Sequence, residues 1–302
     1  MTLPTVPHLT PFIEQGRRDL AALVALDSVS AQGRMLPETA AAVKGLLEAE
    51  GFSVRQYPGQ VAPILLAEAG EGPRSLLIYN HYDVQPETPL DLWSTPPFTL
   101  TERDGRLYGR GVSDDKGEFV SRLAAVRALR AAHGGVLPLR VRWLIEGEEE
   151  VGSPSLAGFV AEHAAELSAE GCWCEFGSVS EEGRPVLSLG LKGIVCLELR
   201  CRVADSDLHS SHGAVVDNPL YRLSRAIASL RDDAGRVTIH GFHDSVRPPS
   251  EADLRALDSL PDARGPLQDS YGVRGFLGGA DAREVARRSN FEPALNVNGF
   301  HG

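Results

Sequence analysis

The chain has 302 residues, enough for two domains of roughly 150 residues and for a core that needs no disulfide or metal staples. Apolar residues make up 42% and charged residues 24%, which excludes a disordered chain and fits a soluble globular one. Lys and Arg number 30 against 41 Asp and Glu, a net charge of −11 with no basic cluster, so nucleic acid and anionic membrane are excluded as partners.

Met1 to Gln15 holds Pro4, Pro7 and Pro11 and lacks the basic start and apolar stretch of a secretory signal. No apolar run reaches about 18 residues, so no transmembrane span is expected. Leu20 to Leu26 and Glu38 to Glu50 read as helices, the second with Val43, Leu46 and Leu47 on one stripe and a stop at Gly51. Strands follow at Ser53 to Tyr57, Ile64 to Glu68 and Ser75 to Asn80, the last a compact apolar run suited to a central strand. A Pro-rich loop spans Pro86 to Phe98, and Arg106 to Gly109 reads as a short strand. Lys116 to Ala132 is the clearest helix, with Val120, Leu123, Ala124 and Val126 on its apolar side and Gly134-Gly135 past its end. Leu139 to Ile145 is a strand, Pro154 to Ser168 a helix with Pro in its first turn, and Gly171 to Phe176 a strand. This alternation predicts an α/β domain with a mostly parallel sheet.

The pattern changes near Gly190. Ile194 to Val203 reads as a long strand, Asn218 to Leu230 as a helix and Val237 to His240 as a strand. Pro248, Pro249, Pro261 and Pro266 interrupt the next section; Asp281 to Arg288 is a short helix and Leu295 to Val297 a short strand. A first domain of residues 1–190 and a second of 191–302, with a β-α-β start, are expected. Cys172, Cys174, Cys196 and Cys201 admit a zinc reading, but free, buried, small apolar side chains in a cytoplasmic protein explain them more simply.

Ligands of open α/β sheets collect at the carboxyl ends of strands, and four such ends carry metal-type residues. His81-Tyr82-Asp83 follows SLLIYN; either both bind metal, or His81 binds while Asp83 holds its other ring nitrogen. Asp114 and Asp115 enter the long helix, as ligand or as cap. Glu146, Glu148, Glu149 and Glu150 crowd one turn, where they either surround a cation or form a solvated acidic loop. Glu175 ends the next strand. One His with several carboxylates suits two divalent ions sharing a carboxylate better than one ion. HExxH, GxSxG and Walker patterns are absent. His209, in DLHSSH, is either a surface His or a donor reaching a neighbouring site.

Together YNHYDVQP, LWSTPPF, DGRLYGRGVSDDKG, IEGEEEVGS, LGLKG and DLHS resemble the zinc-dependent exopeptidase and deacylase family. That family contains acetylornithine deacetylase, succinyl-diaminopimelate desuccinylase, glutamate carboxypeptidase, carnosinase and cytosolic nonspecific dipeptidase, and the dipeptidase and carnosinase branch is most similar. The resemblance implies a phosphorylase/hydrolase-like α/β/α catalytic domain with an inserted ferredoxin-like lid and dimerisation domain, both incomplete here. It implies His81 as a zinc ligand supported by Asp83, Asp114 as the bridging ligand followed by a cis peptide bond, Glu150 and Glu175 as further ligands, and Glu149 as general base. His209 matches a lid His that reaches the partner subunit's site as an oxyanion stabiliser. Two Zn²⁺ per site are implied, with Mn²⁺ or Co²⁺ as substitutes, and a cytoplasmic homodimer that cleaves the amide of a dipeptide or small N-acyl amino acid. Glu175 departs from the Asp usual in the dipeptidase branch and is shared with deacylases and carboxypeptidases. Relatives also continue past the lid to a last His ligand; His301, after NGF, does not match it. The alternatives are therefore a deacylase or carboxypeptidase, an impaired metal-binding remnant, or half of a split protein with a separate C-terminal fragment.

Overall fold

The computed structural model describes residues 8–175, 178, 179, 183–186, 188 and 190–301. Pro4 and Pro7, Phe176 of a predicted strand, and Leu189 of LGLKG lie outside these. The chain forms two compact units, Met1–Leu189 and Gly190–Gly302.

In the first unit, α1 (Thr10–Val24) begins ten residues before the predicted helix, with Pro11 in its first turn, where a missing N–H costs nothing. Then come α2 (Leu36–Ala49), β1 (Ser53–Tyr57), β2 (Ile64–Ala69), β3 (Ser75–His81), a β4 (Thr101–Arg103) and β5 (Arg106–Tyr108) hairpin, α3 (Lys116–Ala132) and β6 (Arg140–Glu146). The predicted helix over Pro154 to Ser168 is two, α4 (Leu156–Glu162) and α5 (Ala164–Leu167), separated at His163, whose ring stacks on Phe159. β7 (Gly171–Trp173) completes the main sheet, and β8 (Ser178–Val179) pairs antiparallel with β9 (Pro185–Val186).

The main sheet runs β1-β2-β6-β3-β7. β3 pairs parallel with β6 and β7, whereas β2 pairs antiparallel with both β1 and β6. The expected mostly parallel sheet is thus corrected to a mixed one. The links on either side of β2 are too short for a crossover and reverse the chain, while α3 and the α4–α5 pair carry it back between β3, β6 and β7. Leu65, Ala67, Trp143 and Ile145 pack on one sheet face with residues of α1, α2 and α3; Ile64, Leu66 and Leu144 pack on the other with Phe159 and Leu167. The result is a three-layer α/β/α unit.

The second unit holds a 3-10 turn (Ser210–Ala214), α6 (Pro219–Ala228), α7 (Glu251–Asp258), α8 (Arg264–Tyr271) and α9 (Ala282–Phe291). The predicted strand from Ile194 to Val203 is corrected: the segment forms no ladder with any described residue, and Ile194 and Leu197 are each 86% exposed. Val237 makes an isolated bridge to Arg231, and Leu295 to Val297 forms no strand. The prolines border α7 and α8 rather than excluding helix, and Pro266 sits in the first turn of α8. No helix of the described residues is long and apolar enough to cross a membrane.

Candidate metal centre

His81 is the last residue of β3, and the parallel register sets it opposite Glu146 at the end of β6. β7 ends at Trp173, two residues before Glu175. Three carboxyl ends therefore converge, as sheet topology requires of a ligand site. The imidazole is 1% exposed. Its Nδ1 lies 3.1 Å from the Asp83 carbonyl oxygen and 3.2 Å from Asp83 Oδ1. Its Nε2 faces three carboxylates: Asp114 Oδ1 at 2.9 Å, Glu175 Oε2 at 3.5 Å and Glu149 Oε2 at 3.9 Å.

Asp83 is fully buried and has a second task. Its two carboxylate oxygens accept the N–H groups of Glu149 at 3.3 Å and Glu150 at 3.0 Å, at the start of the 3-10 turn Glu149–Val151. One side chain thus aims the ring and anchors the acidic turn, where free N–H groups favour a negative partner. Glu150 accepts from the Gln85 amide at 2.8 Å. Glu148 points away from the site: it is buried and accepts the N–H groups of Val61, Ala62 and Ser155. Glu146 is also buried; its Oε1 accepts the Tyr79 and Ser153 hydroxyls at 2.6 and 2.8 Å. The four neighbouring carboxylates therefore divide: Glu146 and Glu148 hold structure, Glu149 faces His81 and Glu150 is held by Gln85. Gly147 has to be glycine, because a Cβ there would strike the Tyr82 ring.

The Asp114–Asp115 peptide bond is cis, and the two side chains part ways. Asp114 meets the ring while remaining 72% exposed. Asp115 is buried, its Oδ2 accepting the Asn80 amide at 2.7 Å and the His81 N–H at 2.8 Å. Asn80 in turn accepts the Trp143 indole N–H at 2.9 Å. Lys116 turns inward and donates to the carbonyls of Leu23 and Leu26, which also accept the N–H groups of Leu26 and Ser28 where α1 ends. Gly117 is required by the Val112 carbonyl, which would lie 1.8 Å from a Cβ.

Electrostatics follow from this crowding. Burial alone would push the His81 imidazole down, but hydrogen bonds to Asp114 and Asp83 outweigh it and hold the ring up at about 12. The same contact holds Asp114 below the usual carboxylate range. Burial pushes Asp115 and Glu175 each up to about 7, and pushes Glu150 upward despite Gln85. Glu175 Oε2, Asp115 Oδ1 and Glu146 Oε2 are buried without a hydrogen-bond partner among the described residues. Ligand atoms of His81, Asp115 and Glu175 lie within 4.8 Å of one another. An imidazole with surplus buried oxygens is a donor set suited to Zn²⁺, Mn²⁺ or Co²⁺.

His209 lies in the second unit, in an open cleft of about 510 Å³ between Cys201 and Asn218. Its Nδ1 accepts the Ser211 N–H at 3.2 Å, capping the 3-10 turn. The cysteines are free, as expected, but not buried: Cys172 and Cys196 are exposed and Cys174 and Cys201 half-buried. The reading as buried apolar side chains is corrected, because among the described residues β7 is a sheet edge and the segment holding Cys196 and Cys201 has no strand neighbour. Sequence reasoning missed the Asn80–Trp143 support, the Tyr79–Glu146–Ser153 network and Gln85. A polar Asn closing the apolar run SLLIYN was a usable signal for the first.

The profile of Peptidase family M20/M25/M40 matches residues 77–299. The chain is 32% identical over 254 residues to the Beta-Ala-His dipeptidase of Rattus norvegicus, covering 80% of this chain and 49% of that protein. It is 30% identical to the Cys-Gly metallodipeptidase of Schizosaccharomyces pombe over 85% of this chain and 55% of that one. The fold matches an M20 family metallo-carboxypeptidase from Sulfolobus solfataricus with a TM-score of 0.86 and 32% identity, over 95% of this chain and 65% of that one. The chain spans about half the length of the curated relatives it matches. With the matched profile running through His81, both aspartates, the acidic turn, Glu175 and His209, the chain belongs to peptidase family M20/M25/M40, on its dipeptidase and carnosinase branch.

Proposed function

We propose that this chain carries the metal centre of a hydrolase that cleaves the amide bond of dipeptides or small peptides. The observation that carries the reading is the approach of Asp114, Glu175 and Glu149 to one buried imidazole nitrogen. The unpartnered Glu175 oxygen supports an ion there. His81, Asp114 and Glu175 would hold one Zn²⁺, and Asp114 with Glu150 a second; Mn²⁺ or Co²⁺ are substitutes. Bound there, such an ion supplies Lewis acidity toward the amide carbonyl and the attacking water. Asp83 fixes the His81 ring and, through the Glu149 and Glu150 N–H groups, the spacing of the acidic turn. Glu149 takes the proton of the attacking water and returns it to the leaving amine. His209 donates to the developing oxyanion from a second copy.

We place residues 1–190 as the catalytic domain and 191–302 as the lid of a homodimer. That lid is ferredoxin-like once the 194–203 segment gains a sheet neighbour. A cytoplasmic setting agrees with four free cysteines. The second reading is a carboxypeptidase or N-acyl amino acid deacylase. Glu175 and the likeness to the Sulfolobus metallo-carboxypeptidase favour it.

Zinc content of the reconstituted chain, followed by a panel of β-Ala-His, Cys-Gly, longer peptides and N-acetyl amino acids, tests both. Two zincs per chain with dipeptide turnover are expected. Glu149→Gln should keep the zinc and lose at least ~10²-fold in kcat. One zinc without turnover leaves a metal-binding remnant or a chain awaiting a separate C-terminal fragment; no zinc overturns the metal centre.

A further inference from the structure

β7 is the edge of the described main sheet and pairs only with β3 there. Cys172 lies within it, opposite Leu77, and Cys174 lies just past its end. Residues two apart on an extended chain share a side, and the two Sγ atoms are 3.8 Å apart. Both thiols are free and Cys172 is exposed. The next residue is Glu175, with its Oε2 3.5 Å from His81 Nε2. The Cys174 carbonyl accepts from Arg122 at 2.7 Å, and the same buried guanidinium holds the Tyr79 carbonyl and Glu118. A thiol pair and a site carboxylate therefore share one short tether.

We propose that Cys172 and Cys174 form a dithiol site that exchanges with low-molecular-weight disulfides, and that its closure withdraws Glu175 from His81. The second half rests on the reading of Glu175 as a ligand; the first does not. The Cys172 thiolate attacks one sulfur of the small disulfide, whose S–S bond breaks and releases one thiolate. Cys174 gives its proton to solvent and attacks Cys172 Sγ, releasing the second. Two protein thiols are oxidised and one small disulfide is reduced to two thiols. The sulfurs have to close from 3.8 Å to about 2 Å. The ladder to β3 fixes Cys172, so Cys174 moves, carrying Glu175 and breaking the Arg122 contact. Partial burial, and then Cys174 itself, push the Cys172 thiol up to about 11, so exchange is slow at neutral pH.

The test uses the 302-residue chain with Cys196→Ser and Cys201→Ser, incubated with oxidised glutathione at mildly alkaline pH. Intact mass should fall by two hydrogens, both thiols should resist alkylation, and zinc affinity should drop ~10- to 100-fold, recovering with dithiothreitol. In the same background, Cys174→Ser should stop at one glutathione on Cys172 and keep zinc affinity within about twofold. Thiols that stay alkylatable overturn the site. A disulfide with unchanged zinc affinity overturns the coupling. A disulfide in a chain that binds no zinc even when reduced supports the dithiol site and overturns the proposed function instead.

Discussion

The two units solve the problem of apolar surface differently. In the first, Leu65, Trp143, Ile145 and Leu123 are at most 1% exposed, and the sheet is covered on both faces. In the second, Ile194, Val195, Leu197 and Val215 are each more than 80% exposed, and Leu257, Val285 and Ala286 are its buried apolar residues among those described. Its helices nonetheless form, and α6, α7 and α9 have a local reason. Asn218 caps α6, a reciprocal Ser250–Asp253 box caps α7, and Asp281 caps α9, along which Glu284 pairs with Arg287 and Arg288. A helix satisfies its backbone within its own segment, whereas a strand needs a neighbour brought from elsewhere. That is why the predicted helices of the second unit are present and its predicted strands are not.

Amide hydrogen exchange breaks or sharpens this contrast most strongly. Amides of β3 and β6 should be protected by at least ~10³-fold more than those of 194–203, because their opening requires disrupting the core. Equal protection in 194–203 would mean that it pairs in solution, with a second copy as the first candidate. Next in size is the ion-pair bridge between α1 and α3, where Arg127 is 9% exposed and holds Asp19 at 2.6 Å and Glu50 at 2.7 Å. Arg127→Ala leaves Asp19 buried with no cation beside it and only the Gln15 amide as partner, and should cost about 3–5 kcal/mol in denaturant unfolding of the first unit. Glu148→Gln removes the charge from three backbone contacts and should cost about 1–3 kcal/mol. Ser250→Ala should weaken α7 by about 1 kcal/mol and leave the first unit's transition unmoved.

The buried carboxylates beside His81 and the surface cluster on α9 respond to pH with opposite signs. Asp115 and Glu175 are raised to about 7 by burial, so the folded metal-free chain keeps protons that the unfolded chain has released above about pH 4. The unfolded state then binds fewer protons, so stability of the first unit should fall as pH rises from about 4 to 7. In the second unit, hydrogen bonds from Arg287 and Arg288 lower Glu284 to about 2. That contribution is present above the usual carboxylate range and fades as pH falls toward 2; exposure keeps it small. Thermal unfolding in chelator across pH 4–8 checks this. Zinc should abolish the loss in the first unit, and a midpoint that rises with pH without metal would refute the assignment.

The sequence by itself determined the α/β alternation of the first unit and its strongest helix from Lys116 to Ala132, and it named His81, Asp83, Asp114, Glu149, Glu150 and Glu175 as candidates at the ends of strands. Those are local facts: periodicity is set by backbone geometry, and residues that end strands are named by the strands. Tertiary structure decided the rest. The mixed direction of the sheet depends on which strands meet. The division of labour between Glu148, turned into backbone contacts, and Glu149, turned toward His81, depends on where the 58–62 loop passes. Asn80, Trp143 and Asp115 act together although they lie on β3, on β6 and before α3, because pairing across the sheet brings distant residues within hydrogen-bond reach. Local free energy selects turns and helices from adjacent residues; polar satisfaction of a buried site is a property of the packed whole.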